Sequence, residues 1–459
     1  MSFPLRSGVP TAIHWFRRDL RLADNPALLA ARDAGDVLPL FVVDPALWEV
    51  SGDPRKHFLA GCLADLHEAT DGRLVIRHGT PQDVVPALAR EVDAASVHVA
   101  GDTGPYGRRR DAAVEKALGD VDLVRTGSAY AIAPGTITKD DGDPLKVFTP
   151  FKRRWLDHGW PDPAPRPRSV GWARADSEDL PEAPDLGGTE VLEPGETAAG
   201  KRWREFRDER LVDYDGQRDR PDLDATSRMS AHLHLGTVHP RTLLHDIARS
   251  GLTGPGVDTY VSELCWREFY ADVLWHRPET AREYYNPELQ GITYSTGQGA
   301  EEDFEAWAQG RTGFPIVDAG MRQLLAQGWM HNRLRMIVGS FLVKDLHQEW
   351  TTGARYFMQH LVDGDLASNN HGWQWVAGTG TDASPYYRVF NPTTQGKKFD
   401  PDGGYVKRWV PELRDLDAKH VHEPWTAPGG VPDGYPEPIV DHAHERQVAL
   451  DRYQAAKGR

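Results

Sequence analysis

Three segments of this chain concentrate side chains able to do chemistry. The first is Thr226-Ser227-Arg228-Met229-Ser230, which follows the stretch from Tyr214 to Arg218. Hydroxyls and backbone N–H groups at the start of a helix cradle an anion or a pyrophosphate, and an arginine adds charge. The plainer reading of the segment is an N-cap beside a surface arginine. The second runs from Ser262 to Tyr270, where Glu263, Trp266, Arg267 and Tyr270 recur at spacings of three and four and so share one helical face. A buried charge must be paired, so carboxylate, indole and guanidinium together are odd for a core. They suit a cavity that stacks a flat ring and hydrogen-bonds its edge, and a surface helix with an internal ion pair fits the segment equally. The third spans Trp329–Phe399 and holds Asn332, Arg333, Arg335 and Met336, then Asp363-Gly364-Asp365, Asn369-Asn370, Trp373-Gln374-Trp375 and Gln395-Gly396-Lys397-Lys398. So many carboxylates, amides and indoles are expensive to bury unless each polar group finds a partner. A large polar ligand would supply the partners; a solvated loop beside a tryptophan pair is the alternative.

Other patterns carry less. Gly378-Thr-Gly-Thr-Asp-Ala383 has the spacing of a dinucleotide fingerprint, but no strand precedes it and no βαβ unit surrounds it. His232, His234 and His239 lack the carboxylate or thiolate company of a metal site and read as core or capping histidines, so no metal is expected. No nucleophile elbow or Walker-type phosphate loop is present. Cys62 and Cys265, the only cysteines, are too few for a disulfide framework and read as buried, reduced thiols.

The elements that must position these residues change along the chain. Apolar, β-branched runs at 12–16, 37–43, 74–77, 97–100 and 123–125 alternate with helical patterns at 25–34, 55–69, 81–92 and 108–118. Such alternation predicts a doubly wound, mainly parallel α/β sheet. Ligands sit beyond the carboxyl ends of its strands, where Phe16-Arg17-Arg18-Asp19 and Gly101-Asp102 emerge. A stretch from about Pro161 to Gly195, rich in proline, glycine and charge, reads as a surface linker. Helical patterns follow at 197–212, 240–248, 260–276, 316–326, 333–349 and 354–361. The expected division is an α/β domain over 1–130, a linker over 131–195 and a larger all-α domain over 196–459. A net charge of −15 argues against coating nucleic acid by bulk electrostatics, so any DNA contact needs a local basic face. No apolar run approaches the roughly 20 residues of a membrane span, and Met1–Pro10 lacks a signal-peptide core, which leads to the expectation of a cytoplasmic protein.

The three segments, with "HWFRRDLRLADNPAL", "PYGRRRD", "TSRMSAHLHLG", "ELCWREFY", "GWMHNRLRMI" and "DGDLASNNHGWQW", resemble the photolyase and cryptochrome family. Within it they look like the class I cyclobutane pyrimidine dimer photolyases, and the likeness covers nearly the whole chain. The resemblance implies a light-driven lyase that repairs damaged DNA by electron transfer from excited, reduced FAD to a flipped-out dimer; photolyases are among the base-flipping enzymes. By position, Tyr214, Thr226, Ser227, Arg228, Met229 and Ser230 would hold the phosphates and ribityl chain of FAD. Asp363, Gly364 and Asp365 would lie near its ring and ribityl groups, with Arg335 paired to Asp363. Asn369 would face the reactive ring nitrogen, where a neutral amide tolerates an anionic flavin better than a carboxylate. Glu263 and Asn332 would bond the base edges of the dimer, Trp266 and Trp375 would stack against it and Met336 would pack on it. Arg218, Arg267, Arg333, Gln395, Lys397 and Lys398 are expected at the DNA. Trp373 and Trp350 match the first two members of the family's electron relay; no tryptophan stands between Trp275 and Trp307 for the third, for which Tyr294 or Trp307 are substitutes. Folate-binding relatives carry a glutamate near Gly107, so the antenna expected here is 8-hydroxy-5-deazaflavin, with methenyltetrahydrofolate the alternative. Rival readings are a cryptochrome-type blue-light receptor, opposed by Asn369 and the short tail after Leu413, and a (6-4) photolyase, opposed by Met330-His331-Asn332. A monomer with no membrane contact and no obligate protein partner is expected.

Overall fold

A computed structural model describes residues 9–381 and 387–458. The sheet-bearing part runs β1 (Thr11–Phe16), α1 (Pro26–Ala34), β2 (Asp36–Val43), α2 (Pro45–Trp48), α3 (Asp53–Ala69), β3 (Val75–His78), α4 (Pro81–Glu91), β4 (Ala94–Gly101), α5 (Pro105–Leu118), β5 (Asp122–Ser128) and α6 (Phe148–His158). Helices follow: α7 (Glu196–Glu209), α8 (Tyr214–Gln217), α9 (Ser230–Leu235), α10 (Pro240–Ser250), α11 (Pro255–His276), α12 (Gln298–Ala308), α13 (Pro315–Gln327) and α14 (Asn332–Lys344). The last are α15 (Trp350–His360), α16 (Leu366–Ala377), α17 (Pro392–Phe399), α18 (Gly404–Trp409) and α19 (His442–Lys457). The expected class, an α/β part followed by helices, is the observed one.

The chain forms two compact units, one of residues 1–186, 192–212 and 227–278, the other of 187–191, 213–226 and 279–459. They do not coincide with the expected division 1–130, 131–195 and 196–459, because α7, α9, α10 and α11 belong with the sheet. In the first unit the five strands are parallel in the order β3-β2-β1-β4-β5. Helices cover both faces of such a sheet, so β1, β2 and most of β4 bury almost every side chain and read as apolar runs, whereas β5, at the edge, buries only Leu123. Ile13, Leu38, Leu40, Val97 and Val99 form the core of the sheet.

Two features of the segment 131–195 differ from a plain linker. It contains α6, whose apolar residues Phe148, Phe151 and Trp155 are buried. Further on, the Val37 N–H donates to Gly171 O (2.7 Å), the Ala173 N–H to Val37 O (2.8 Å) and the Glu178 N–H to Ile76 O (3.0 Å). The coil thus lies along the β2–β3 side of the sheet and satisfies main-chain groups that an open edge would expose. A second fastening comes from α11. Glu268 accepts from the N–H groups of Ala131 (2.5 Å) and Ile132 (3.1 Å) and from Trp155 Nε1 (2.6 Å), and Asp272 accepts from the Gly135 N–H (2.7 Å). Burial pushes both carboxyls up, Asp272 to about 6.

In the second unit, Trp307, Phe341, Phe357, Trp373 and Tyr405 lie at the centre of one apolar cluster. Helix α14 stops at Lys344 rather than Glu349, because His347 adopts φ +52, which a right-handed helix cannot continue through. Helix α15 accordingly begins at Trp350, ahead of the expected Ala354. Gly378 of the loose dinucleotide pattern is the left-handed C-cap of α16; Asp382 and Ala383 of that pattern lie outside the described residues. Among the described residues no helix is long and apolar enough to cross a membrane, and no cluster of histidine, cysteine and carboxylate side chains could hold a metal ion. His239 caps α10, accepting from the Arg241 N–H at 3.1 Å, and both cysteines are buried and free.

Candidate functional site

At the carboxyl ends of β1 and β4, where the strand order reverses, the first unit has a concavity of about 310 Å³, open solvent included. Arg17, Arg18, Asp19, Gly101, Asp102 and Tyr130 line it. Its charges are already paired: Arg17 Nη1 donates to Asp111 Oδ1 (2.6 Å), and Arg110 Nη2 to Asp102 Oδ2 (3.1 Å) and Asp111 Oδ1 (2.8 Å). Burial works against ionisation of Asp102, but the guanidinium of Arg110, with those of Arg17 and Arg18, outweighs it and holds the carboxyl below its usual value. The Asp102 carboxylate occupies the space beside Gly107, where an added Cβ would lie 2.1 Å from it.

Two of the sequence-derived segments belong wholly or largely to this unit. On α11, Glu263, Trp266, Arg267 and Tyr270 are half-buried while Leu264, Cys265, Glu268 and Phe269 are buried. The predicted face therefore exists, and it is partly exposed. Arg267 turns inward: Nη1 donates to Ala129 O (3.0 Å), Nη2 to Leu233 O (3.1 Å), and the guanidinium lies over the Tyr130 ring. Ser227 Oγ accepts from Tyr260 Oη (3.1 Å) and the Met229 N–H (3.3 Å), while Arg202 Nε donates to Ser227 O (2.7 Å). These bonds fix a bend in which Arg228 takes φ +51. A non-glycine residue held there costs of order 1 kcal/mol and is found where a backbone clamps a ligand. Met229 is the N-cap and exposed Ser230 the first residue of α9, a helix of six residues.

The second unit holds the rest. Tyr214 opens α8, and the Arg218 guanidinium lies 5.7 Å from its ring centroid. Half-buried Thr226 ends that part of the chain. Arg335 Nη2 donates to Asp363 Oδ2 at 2.8 Å, as the resemblance implied. The other carboxylate oxygen, Asp363 Oδ1, is buried without any hydrogen-bond partner. A buried acceptor of this kind calls for a water or a ligand, as do Asp272 Oδ2 and Asp345 Oδ2, and the imide edge of a flavin is a donor of the right chemistry. Gly364 is buried in the turn that leads to Asp365, whose side chain caps α16 by accepting from the Ser368 N–H (3.0 Å). On α16 the amide nitrogen of Asn369 donates to Ala354 O (3.0 Å) and Asn370 Oδ1 (2.8 Å), so both bonds use nitrogen and neither uses the amide oxygen.

The aromatic and basic residues of this unit separate by burial. Trp373 is buried, with ring contacts to Phe357 (4.9 Å) and Trp307 (6.3 Å), whereas Trp375 is half-buried. Trp350 is fully buried and meets Tyr284 edge-on at 6.3 Å; the phenols of Tyr284 and Tyr294 are 2.7 Å apart, and Tyr284 Oη donates to Glu349 Oε1 (3.3 Å). Asn332 is exposed and Met336 half-buried one turn on, along α14. Arg333 is held by Asp219 through two bonds (2.7 and 3.2 Å). Gln395 is half-buried on α17, and exposed Lys397 and Lys398 follow, Lys397 paired with Glu423. Sequence reasoning missed Phe148, Tyr284 and Glu268. The i, i+3, i+7 spacing of Phe148, Phe151 and Trp155 was the signal available for the first.

The chain thus combines a parallel α/β unit with a concavity at its switch point and a helical unit in which half-buried Arg335 pairs a buried Asp363 that keeps one oxygen open. The comparisons agree: residues 12–168 match the DNA photolyase family and residues 260–455 the FAD-binding domain of DNA photolyase. The deoxyribodipyrimidine photo-lyase of Salmonella typhimurium is 41% identical over 98% of this chain and 99% of its own length. That of Streptomyces griseus is 41% identical over 97% and 99%. The solved structure of a bacterial class III photolyase from Agrobacterium tumefaciens superposes with a TM-score of 0.92 at 36% identity, covering 100% of both chains. This chain belongs to the DNA photolyase family.

Proposed function

We propose that this protein is a deoxyribodipyrimidine photo-lyase, a flavoprotein that uses light to split cyclobutane pyrimidine dimers in DNA. The full-length likeness to relatives of that name carries the reading. Reduced FAD, when bound, supplies the electron that on illumination opens the dimer and then returns. The chain's own residues bind, orient and insulate. Tyr214, Thr226, Ser227, Arg228, Met229 and Ser230 hold the phosphate and ribityl part. Asp363, fixed by Arg335, accepts from the ring edge through Oδ1, and Gly364 and Asp365 set the turn and the helix that follow. Asn369 offers its amide oxygen to the ring, so no second negative charge opposes a reduced flavin.

For the substrate, Glu263 and Asn332 are proposed to bond the base edges. Trp266 and Trp375, each half-buried, offer stacking worth about 1–3 kcal/mol per base, and Met336 offers the dimer an apolar contact. Arg218, Gln395, Lys397 and Lys398 are the proposed backbone contacts. The Lys397–Glu423 pair is exposed enough to exchange for a phosphate at small cost. Arg267 and Arg333 are engaged internally, and their proposed part is to position Trp266 and Met336. In photoreduction Trp373 and Trp350 would pass an electron to bound flavin, and the phenol pair Tyr294–Tyr284, through which a proton could reach Glu349 by way of Tyr284, supports Tyr294 over Trp307 as the outer donor. For the antenna, a glutamate at 107 would displace Asp102, which supports 8-hydroxy-5-deazaflavin over methenyltetrahydrofolate at the switch-point cavity.

The test is direct. Protein with reduced FAD and an oligonucleotide carrying one thymine dimer is illuminated with near-ultraviolet or blue light. Recovery of intact thymines, with none in the dark, is expected. No recovery with FAD bound and reduced would overturn the reading.

A further inference from the structure

The least expected contact in the first unit is a ring stack. Phe148, the first residue of α6, lies on the indole of Trp266 with centroids 3.6 Å apart and planes 7° from parallel. The other ring neighbours of Trp266, Phe269 and Tyr270, meet it at 74° and 43°. Phe148 is thus the parallel partner among them, and at that separation no base can enter the face it covers. Phe148 is itself held. It is buried, meets Phe269 at 67°, and starts a helix that is fastened along α11 at three further points. Lys152 Nζ donates to Ser262 Oγ (2.6 Å), Phe151 lies 5.2 Å from Phe269, and Trp155 Nε1 donates to Glu268 Oε2 (2.6 Å).

We propose that Phe148 is the positioning residue of the lesion-binding indole: it covers one face of Trp266 and sets its plane, so that the opposite face is presented to a base. The inference rests on the role given to Trp266 above. A half-buried tryptophan on a helix has several staggered rotamers open to it. A ligand that binds one of them loses affinity in proportion to the population of the others. The stack removes that loss. It acts before the base arrives, so it belongs to lesion affinity and not to the light-driven step.

The experiment compares Phe148→Leu, which keeps apolar volume without a ring, with Phe148→Tyr, which keeps the ring, in full-length protein carrying FAD. Dissociation constants are measured for a thymine-dimer oligonucleotide and its undamaged twin, and repair per absorbed photon is measured at saturating oligonucleotide. Phe148→Leu is expected to weaken lesion binding by about threefold or more, the cost of spreading the indole over about three wells. Undamaged binding and saturated repair stay unchanged, and Phe148→Tyr restores the lesion affinity. An unchanged lesion constant in Phe148→Leu, or an equal loss in Phe148→Tyr, overturns the proposal. Trp266→Ala is measured in parallel: if it leaves lesion affinity intact, the role of Trp266 itself has failed, which is a separable result.

Discussion

Single residues in this protein decide how closely its parts approach. Gly107 is the clearest case in the first unit: its missing side chain is where the Asp102 carboxylate sits, and that carboxylate pairs Arg110. Gly107→Ala should push Asp102 off Arg110 and leave a buried guanidinium less well paired, which costs several kcal/mol if unrelieved and about 1–3 kcal/mol if the pair rearranges. Purified Gly107→Ala protein should therefore lose antenna absorbance while keeping its FAD, with a lower melting temperature; antenna content equal to the parent would show that the cavity does not hold it. Gly353 plays the same part in the second unit. A Cβ there would lie 2.2 Å from Trp373 Cη2, so Gly353→Ala must move the indole or the helix. Overpacking of this kind costs about 1–3 kcal/mol. Chemical denaturation should show that loss, and photoreduction of bound FAD should slow, because a relay is sensitive to the placement of its rings. A Gly353→Ala protein of parental stability and photoreduction rate would remove Trp373 from the relay.

At the scale of elements, what could be read in advance followed from how each segment meets solvent. Strands β1, β2 and most of β4 are buried on both faces, so their apolar runs were visible to within a few residues. Helix α16 was not, although its residues were singled out, because it buries polar side chains and has no apolar stripe. Asn370 donates to Ala281 O (2.6 Å) and Gln374 to Thr280 O (2.9 Å), partners supplied by a distant segment that no local pattern announces. The Arg335–Asp363 pair came from the resemblance, whereas the open Asp363 oxygen required coordinates. Helices α6 and α19 were hidden by charge, and the Phe148–Trp266 stack joins residues far apart in the chain. Two histidines give these elements a pH signature. His371 on α16 donates from Nδ1 to Ala367 O (2.8 Å) and accepts from Thr280 Oγ1 (2.9 Å), and His232 on α9 meets Thr237 Oγ1 (2.9 Å). Burial holds each down to about 4, with Arg202 adding to the effect at His232. A histidine neutral in the fold and free to protonate when unfolded stabilises fully above its unfolded value near 6.5. That contribution disappears as pH falls toward 4. Asp272, Asp345 and Asp400, raised to about 6 by burial, act oppositely over nearly the same window. The two sets offset each other in the parent, so the signature must be read by difference. Between pH 6.5 and 4.5 the melting temperature of His371→Gln should fall less than that of the parent. Parallel curves would mean that the imidazole is not kept neutral by the fold.

For the whole molecule the question is how a chain of net charge −15 engages a polyanion. Long-range repulsion must be overcome by a few close contacts, and the number of them is measurable, since log K falls with log salt by about 0.9 per phosphate neutralised on duplex DNA. The structure sorts the cations. Lys397 and Lys398 are exposed on α17, whereas the terminal nitrogens of Arg267 bond the carbonyls of Ala129 and Leu233. A guanidinium in that state would have to abandon two main-chain acceptors to reach a phosphate, leaving them unsatisfied at about 1–3 kcal/mol each. Lys398→Ala should therefore reduce the salt slope for dimer-containing duplex by about 1 with little change in melting temperature. Arg267→Ala should leave the slope at the parental value and lower the melting temperature, because it frees the Ala129 and Leu233 carbonyls inside the first unit. The slopes come from fluorescence anisotropy across a salt series, the melting temperatures from calorimetry. A slope reduced in Arg267→Ala as much as in Lys398→Ala would place that guanidinium on the DNA and return it to the contact face expected from sequence. If neither variant changes the slope, α17 is not the basic surface, and the search moves to Arg218 beside Tyr214.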